Sequence, residues 1–444
     1  MASVSNNTVI ELFKDVYGSM YDLTPEDQII GRDIAWAEGD RVGTQFIEDV
    51  ILSAETGITF GGNGQEAFEI NPAIAGSVKQ TSVIPYVSIL PSILPFATIS
   101  RSLGDKQAFL KATKFITKNN LKSHNKFLEV ARMWGQSSTL LGTVSYFTGT
   151  YRNASFTNGT GTLNGITFTN GINVASKAIL MAPGQFAAGF WVGMIGVKVK
   201  QLSAANVIQA AGKLTGYNAQ YGYITVDFTP VAASSTTSSK LGYDGMELSG
   251  EMFGIEAALN AQGTLYGIST TLFPLFKGNV YDISEGASTG VKLTLGRLQT
   301  ALAQAVNGGG LEGDVVCYVN PRSWSTLSTT EAGLRMYDQS YQSSKAVNGF
   351  SDIEYYTQTG KITIRAHRCM KEGYAFVLRT ETWKRSGSAQ VGFKVPGMEN
   401  EGDLIRPLDN QAGYMFRSYG DEYIFTAEPN QNLLIVGIND ESAS

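Results

Sequence analysis

Between residues 83 and 101 the chain reads VIPYVSILPSILPFATISR, an apolar run broken by Pro85, Pro91 and Pro95. Proline fixes φ and removes a backbone donor, so such a run cannot be helical and is held to sheet edges and bends. Just upstream, ITFGGNGQEAFEI (58–70) reads as strand, glycine turn and strand through Gly61, Gly62 and Gly64, with Pro72 beyond it. Together these stretches predict an extended excursion with few internal partners. A two-stranded loop of that length does not hold itself together in water. It needs another surface to lie on.

The flanking sequence predicts what surrounds this excursion. The first fifty residues are mixed and polar, with a short helix expected over 6–17 and a turn or helix start at Pro25-Glu26-Asp27, and they read as an arm. Residues 105–135 (DKQAFLKATKFITKNNLKSHNKFLEVARMWG) carry Phe127, Ala131 and Trp134 at i, i+4 and i+7, the spacing of one helix face. Lys122, Lys126, Glu129 and Arg132 are then assigned to other faces, and His124, amid lysines, to the surface. Asn119-Asn120 is a candidate bend and Gly135 a candidate stop.

From 143 to 240 the chain turns Thr-, Asn- and Gly-rich, with short β-like runs such as FWVGMIGVKVKQLS and YGYITVDFTPVAA. Short strands at regular spacing predict a small sandwich or barrel inserted between helix-bearing segments, with Trp191, Tyr221 and Tyr223 in its core or at an interface. VAASSTTSSKLGYDG (231–245) reads as a flexible exit. Then come GTLYGISTTLFPLF (263–276), short, apolar and without a clear period, and TLGRLQTALAQAVNGGG (294–310), a helix with Thr294 as N-cap and a glycine end. The strand DVVCYVN and a Pro321-led turn carrying Trp324 follow. The chain closes on two strands around a Glu428-Pro429-Asn430 turn.

Composition narrows the function. Charged residues make up 16% of the 444, below the roughly 25% usual for soluble domains, and 49 residues are Gly. Scarce charge suits a surface that meets other subunits. The formal net charge of −5, without a basic block, argues against a sequence-reading nucleic-acid binder. No apolar run approaches the roughly 18 residues of a membrane span, and the N-terminus lacks the pattern of a secretory signal. Two cysteines, Cys317 and Cys369, cannot make a disulfide framework, and reduced thiols made in a cytoplasm are the expectation.

Catalytic signatures are scarce. His367 and Cys369, at i and i+2 in RAHRCMKEG, form a poor zinc set, and alternation along a strand would place both on one face. A Cys–His nucleophilic pair stays open as an alternative. GGNGQE and NGGGLEG lack the Lys-Ser/Thr of a phosphate loop. No cofactor and no metal site is expected.

The order of parts, with three local stretches, resembles the major capsid proteins of tailed double-stranded-DNA bacteriophages, whose fold is the HK-ninety-seven type. DVVCYVNPRSWSTL (314–327) is similar to the family's strand followed by Asn-Pro-x-x-Trp, with Asn320, Pro321 and Trp324 matching. PLDNQAGYMFRSYGDEYIFTAEPNQNLLIVGI resembles the closing strands, with Asp409, Asn410 and Pro429 where the family has them. The helix before the Asn-Pro-x-x-Trp strand is the third.

The resemblance implies an α+β fold: an N-terminal arm (1–52), an extended E-loop (53–106), the peripheral domain's spine helix (107–142), an inserted β-rich sandwich or barrel (143–242) and a peripheral-domain junction (243–284). An axial domain (285–400) and closing strands returning to the peripheral domain (401–444) complete it. It also implies a structural, non-enzymatic subunit that forms hexamers and pentamers of an icosahedral shell around packaged DNA, contacted nonspecifically. A virion location after synthesis in the host cytoplasm follows, with no membrane partner. Without a long assembly domain ahead of the arm, a separate scaffolding protein is expected, with a portal, and the inserted module is a candidate seat for a decoration protein. Some members weld subunits by a lysine–asparagine isopeptide bond, and Lys79 and Asn410 are the residues in those places.

Alternatives are an encapsulin-like compartment shell, a tail or fibre protein, and a hydrolase using Cys369 and His367. GTLYGISTTLFPLF would fill a domain junction, with Leu265, Tyr266, Phe273 and Phe276 packing the seam.

Overall fold

The structure is a computed structural model that describes residues 28–37, 41–42, 45–61, 69–95, 106–234, 238–245, 250–284, 286, 290–335, 353–357, 360–393, 406–408 and 412–440. The helix expected over 6–17, the turn at 25–27, and Asp409 and Asn410 lie outside these residues.

One helix, Lys106–Trp134, runs unbroken through Asn119 and Asn120 and is about 44 Å long at 1.5 Å per residue. Asn120 does not bend it because its side chain is spent elsewhere: Nδ2 donates to Leu90 O and Ser92 Oγ on the proline-bearing strand. The helix ends before Gly135, whose amide closes onto Ala131 O at 2.7 Å.

That proline-bearing strand, Tyr86–Pro95, corrects the first expectation. Far from lacking partners, it pairs antiparallel along its whole length with Gly413–Thr426, from Glu422 opposite Tyr86 to Gly413 opposite Pro95. It flanks a sheet that also holds Trp383–Gly392 and Arg406–Pro407. Among the described residues one of its sides carries no ladder to break, so Pro91 is tolerated. Of ITFGGNGQEAFEI, 62–68, with Gly62 and Gly64, lie outside the described residues, and 58–61 and 69–70 form no strand. The excursion's hairpin is Gln45–Ser53 paired with Ser77–Val83, beginning within the segment assigned to the arm, and among the described residues a Thr56–Ile74 bridge alone continues it outward.

Residues 142–243 form a nine-stranded sheet and a short hairpin. Its long strand, Ile208–Asn218, pairs with Lys198–Ser203 along its first half and with Tyr223–Val226 along its second, with a register shift between Leu214 and Gly216. A strand that changes neighbours at an irregularity makes the corner of a sandwich. The supposed flexible exit is no linker: Ser239–Tyr243 is a buried strand between Gly142–Val144 and Lys198–Ser203.

The fourth body is a six-stranded mixed sheet in the order Asn279–Asp282, Leu433–Val436, Tyr374–Leu378, Val315–Val319, Lys361–Ala366, Ile353–Tyr356. The closing segment is therefore divided. Gly413–Thr426 stays with the proline-bearing strand, whereas Leu433–Val436 joins the six-stranded sheet. Thr294 caps the helix Leu295–Asn307, its Oγ1 accepting from Arg297 N at 3.4 Å. The Pro321-led turn is really the start of a 15-residue helix, Pro321–Arg335. Asn320 is its cap, with Oδ1 taking the Arg322 amide at 3.0 Å, and Pro321 sits at the first position, where a missing N–H costs nothing.

The main core runs from Ile30 through Trp134, Phe190 and Trp191 to Phe376 and Leu434. Inner strands of the β-rich segment, through Val199, Ile224 and Tyr243, thus share one core with the long helix. Its outer half has a smaller aromatic core of Tyr151, Phe156, Phe168 and Tyr223, against which Tyr221 packs.

Candidate assembly surface and the junction behind it

Along the hairpin, residues directly opposite one another share a face. Phe46 opposite Val83, Glu48 opposite Thr81 and Val50 opposite Lys79 make one face. Its base is buried, with Phe46 and Val83 packed on Tyr423 and Phe425. Ile47 opposite Ser82, Asp49 opposite Gln80 and Ile51 opposite Val78 make the other. There Ile51 is 77% exposed and Val78 59%. Farther out, Ile58, Phe60, Ile70 and Ile74 are exposed as well, as are Val87 and Ile89 on the proline-bearing strand. Exposed apolar surface of this extent makes the hairpin a candidate contact surface.

GTLYGISTTLFPLF stands where the hairpin joins the body. It is itself a tight hairpin, Thr264–Leu265 against Ile268–Ser269, turned by Tyr266 and Gly267 at φ 49° and 85°. The Tyr266 carbonyl accepts the Ser82 amide at 3.0 Å, and its ring lies 4.8 Å from Phe425 and 5.7 Å from Phe253. Leu265 and Phe276 are buried. Phe273 is half-buried beneath Lys79, whose ammonium is 5.1 Å from the ring centroid. Leu272 and Leu275 remain exposed, so the segment is not swallowed whole.

The family-motif residues divide by role. Asn320 also donates through Nδ2 to Met370 O at 2.7 Å, which ties the helix start to the turn after Lys361–Ala366. Trp324 packs against the core of the six-stranded sheet, and Pro429 begins a short turn of 3-10 helix, Pro429–Gln431. Lys79 is exposed on the hairpin.

Behind the hairpin lies a buried charge network that sequence reasoning misplaced. His124, expected at the surface, is 3% exposed and bridges Ser418 Oγ at 2.7 Å and Ser88 Oγ at 2.8 Å. Burial, with the nearby Arg132 charge, lowers its pKa to about 4. Lys126, Glu129 and Arg132 are buried too. Glu129 takes the Ile30 and Gly31 amides, His367 Nε2 at 3.1 Å and Arg132 Nη1 at 3.2 Å. Burial alone would raise its carboxyl, but the His367 hydrogen bond, the Arg132 charge and the Ile30 amide outweigh it and hold the pKa below its ordinary value. Arg132 reaches on to Glu422 at 2.7 Å. A signal was present: FLEVARMW (127–134) is apolar around most of the helix, leaving Glu129 and Arg132 no wet face to occupy.

Two further ion sites join the bodies. Lys371 is fully buried, donating to Thr139 Oγ1 and Leu140 O at 2.7 Å, over the Trp134 ring at 4.1 Å. Burial lowers it to about 7 against the opposing pull of Glu256. Arg152 grips both oxygens of Glu372 at 2.7 Å and so ties the β-rich segment to the six-stranded sheet.

The two residues of the hydrolase alternative serve the fold in this geometry. His367 and Cys369 lie past the end of their strand rather than on it, both fully buried. The Cys369 amide donates to His367 Nδ1 at 3.0 Å while Nε2 faces Glu129, so both ring nitrogens hold the fold together.

No protein-family model matches the chain, and no curated protein matches it. Among solved structures, the capsid asymmetric unit of cyanophage A-1(L) aligns over 95% of this chain and 95% of its own at 12% identity, with a TM-score of 0.51. A Mycobacterium phage Bobi structure aligns over 98% of this chain and 99% of its own at 9% identity with a TM-score of 0.42. The encapsulin complex of Synechococcus elongatus aligns over 100% and 99% at 6% identity with a TM-score of 0.39. Those last two scores are too low to argue from, and at 12% identity the first speaks for shape alone. Joined to the long helix, the projecting hairpin and the Asn-Pro-capped helix, it is enough for one conclusion: the chain has the HK-ninety-seven-type capsid fold.

Proposed function

We propose that this chain is a major capsid protein, a structural subunit that builds hexamers and pentamers and, from them, an icosahedral shell around packaged double-stranded DNA. The exposed aliphatic face of the hairpin carries the reading, because a chain on its own gains nothing by showing Ile51 and Val78 to water. A second copy supplies the apolar surface that this face lacks. The net charge of −5 suits a wall that touches DNA only nonspecifically. A scaffolding protein, a portal, and a decoration protein on the β-rich segment are the partners this role calls for, with the mature virion as the location.

Size-exclusion chromatography and negative-stain microscopy of the expressed chain test this directly. Capsomers or closed shells are expected, and a stable monomer at micromolar concentration would sink the reading. Cross-linking between Lys79 and Asn410 is a finer proposal, resting on Lys79 being exposed on the hairpin. Denaturing electrophoresis of assembled particles should give a ladder above the 47.8 kDa chain. A lone monomer band rejects the bond and leaves the shell reading intact.

A further inference from the structure

The N-terminal segment that reaches the core is held by groups from three separate bodies. Its one helical turn, Ile30–Asp33, aims two amides at the long helix, where Ile30 N and Gly31 N donate to Glu129 Oε1 and Oε2 at 2.6 and 3.0 Å. Ile30 and Ile34, one turn apart, are fully buried. Asp33 accepts from Tyr318 Oη at 2.5 Å and Arg365 Nη1 at 2.9 Å, both on strands of the six-stranded sheet. Arg385, on the sheet of the closing strand, donates through Nε to Ile34 O at 2.9 Å, and its backbone exchanges bonds with Ala35 and Ala37.

We propose that residues 28–37 are a separable peptide seated in a receptor groove, and that seating it locks the six-stranded sheet against the sheet of the closing strand. The groove is specific. It reads two aliphatic plugs at i and i+4, an acid between them, and two amides presented by a helical turn. Glu129 is the key contact: fully buried, it is satisfied by His367 and Arg132 from the body and by two amides from the segment, and leaving such acceptors unmet is costly. Separability follows from how the segment is attached. Among the described residues it joins no ladder and meets the body through one helical turn, a Trp36–Arg385 bridge and side-chain bonds, so it opens at less cost than the strands beneath it. The lock follows from where the partners sit, since one peptide bonds the helix, one sheet and the other. None of this depends on shells forming.

Hydrogen exchange of the full chain, read by mass spectrometry, tests the first half. Amides of 30–37 should exchange faster than those of Val315–Val319. Glu129→Gln should speed them at least tenfold more with Val315–Val319 unchanged. Should that variant fail to fold, Asp33→Asn, which breaks a half-buried pair with Arg365, should show the same effect more weakly. Segment and strand amides exchanging at one common rate in wild type and variants would overturn separability. For the second half, spin labels at Glu354→Cys and Gln390→Cys report the distance between the two sheets, as Cys317 and Cys369 are buried and stay unlabelled. The distribution should broaden in Asp33→Asn and Glu129→Gln. An unchanged distribution in a variant whose segment exchanges freely would overturn the lock.

Discussion

Lys371 sits in RAHRCMKEG, two residues past Cys369, and its amine is sealed in the main core. Nothing local announces this, because what buries it is Thr139, Leu140 and Trp134, more than two hundred residues away in sequence. The pH consequence can be worked out. In the unfolded chain the amine keeps its proton up to its ordinary value near 10.5, whereas in the fold it releases it near 7. Between these values the unfolded state holds more protons, so stability rises with pH from about 7 towards 10 and is lost again as pH falls. The slope has a ceiling of about 1.4 kcal/mol per pH unit. Buried tyrosines such as Tyr243, raised by burial, oppose the gain only above about 10. Glu251, whose carboxyl burial raises to about 8, opposes the climb below that pH, so thermal melts at pH 8, 9 and 10 should show it in the wild type and lose it in Lys371→Met, whatever that variant's absolute stability. Equal slopes in the two proteins would mean the amine stays charged. His124, Glu129 and Arg132 carry the same lesson: a polar side chain on a helix reads as facing water, and burial is decided by what the helix packs against.

At the scale of elements, the legible parts were those with local causes. Gly135 ends the long helix, Thr294 caps the next one and Asn320-Pro321 opens another, each through bonds made within a few residues. The buried strand Ser239–Tyr243 was illegible because its partners, Gly142–Val144 and Lys198–Ser203, lie far off in sequence, and a Ser-rich run has no apolar alternation of its own. One local signal was overlooked. Asn-Gly recurs at 158, 164 and 170, and every pair has both residues at positive φ, the two-residue turn that fits the twist of paired strands. Residues 154–173 are therefore a serpentine of short strands with a six-residue step. The turns differ in surroundings. A Cβ on Gly165, φ 74°, would meet nothing within 4 Å, whereas one on Gly171, φ 81°, would lie 2.6 Å from buried Val144 Cγ1. Gly165→Ala should cost about 1 kcal/mol from backbone strain alone. Gly171→Ala should cost about 2 kcal/mol or more because strain and overpacking add. Equal melting temperatures for the two would show that this part of the sheet is not rigidly packed.

For the whole molecule, the hairpin separates what folding needs from what assembly needs, because its two faces alternate along one strand. Val83 packs with Phe46, Tyr423 and Phe425 and serves the fold, while Val78, on the opposite face beside Ile51, touches water. An aspartate at Val78 or Ile51 adds a charge to an already wet site, where substitutions change stability by about 0.5 kcal/mol at most. At a contact between copies the same carboxylate would be desolvated without a partner, a loss of several kcal/mol at each repeat of the contact. Ile51→Asp and Val78→Asp should therefore melt like wild type as isolated subunits yet yield no shells by negative stain. Val83→Asp should fail to fold, since its carboxylate would be buried among aromatic rings. If Ile51→Asp and Val78→Asp both formed shells at wild-type yield, the exposed face would not be where copies meet. The hairpin's buried face would then account for the strand, and the aliphatic surface on the other would need a different partner.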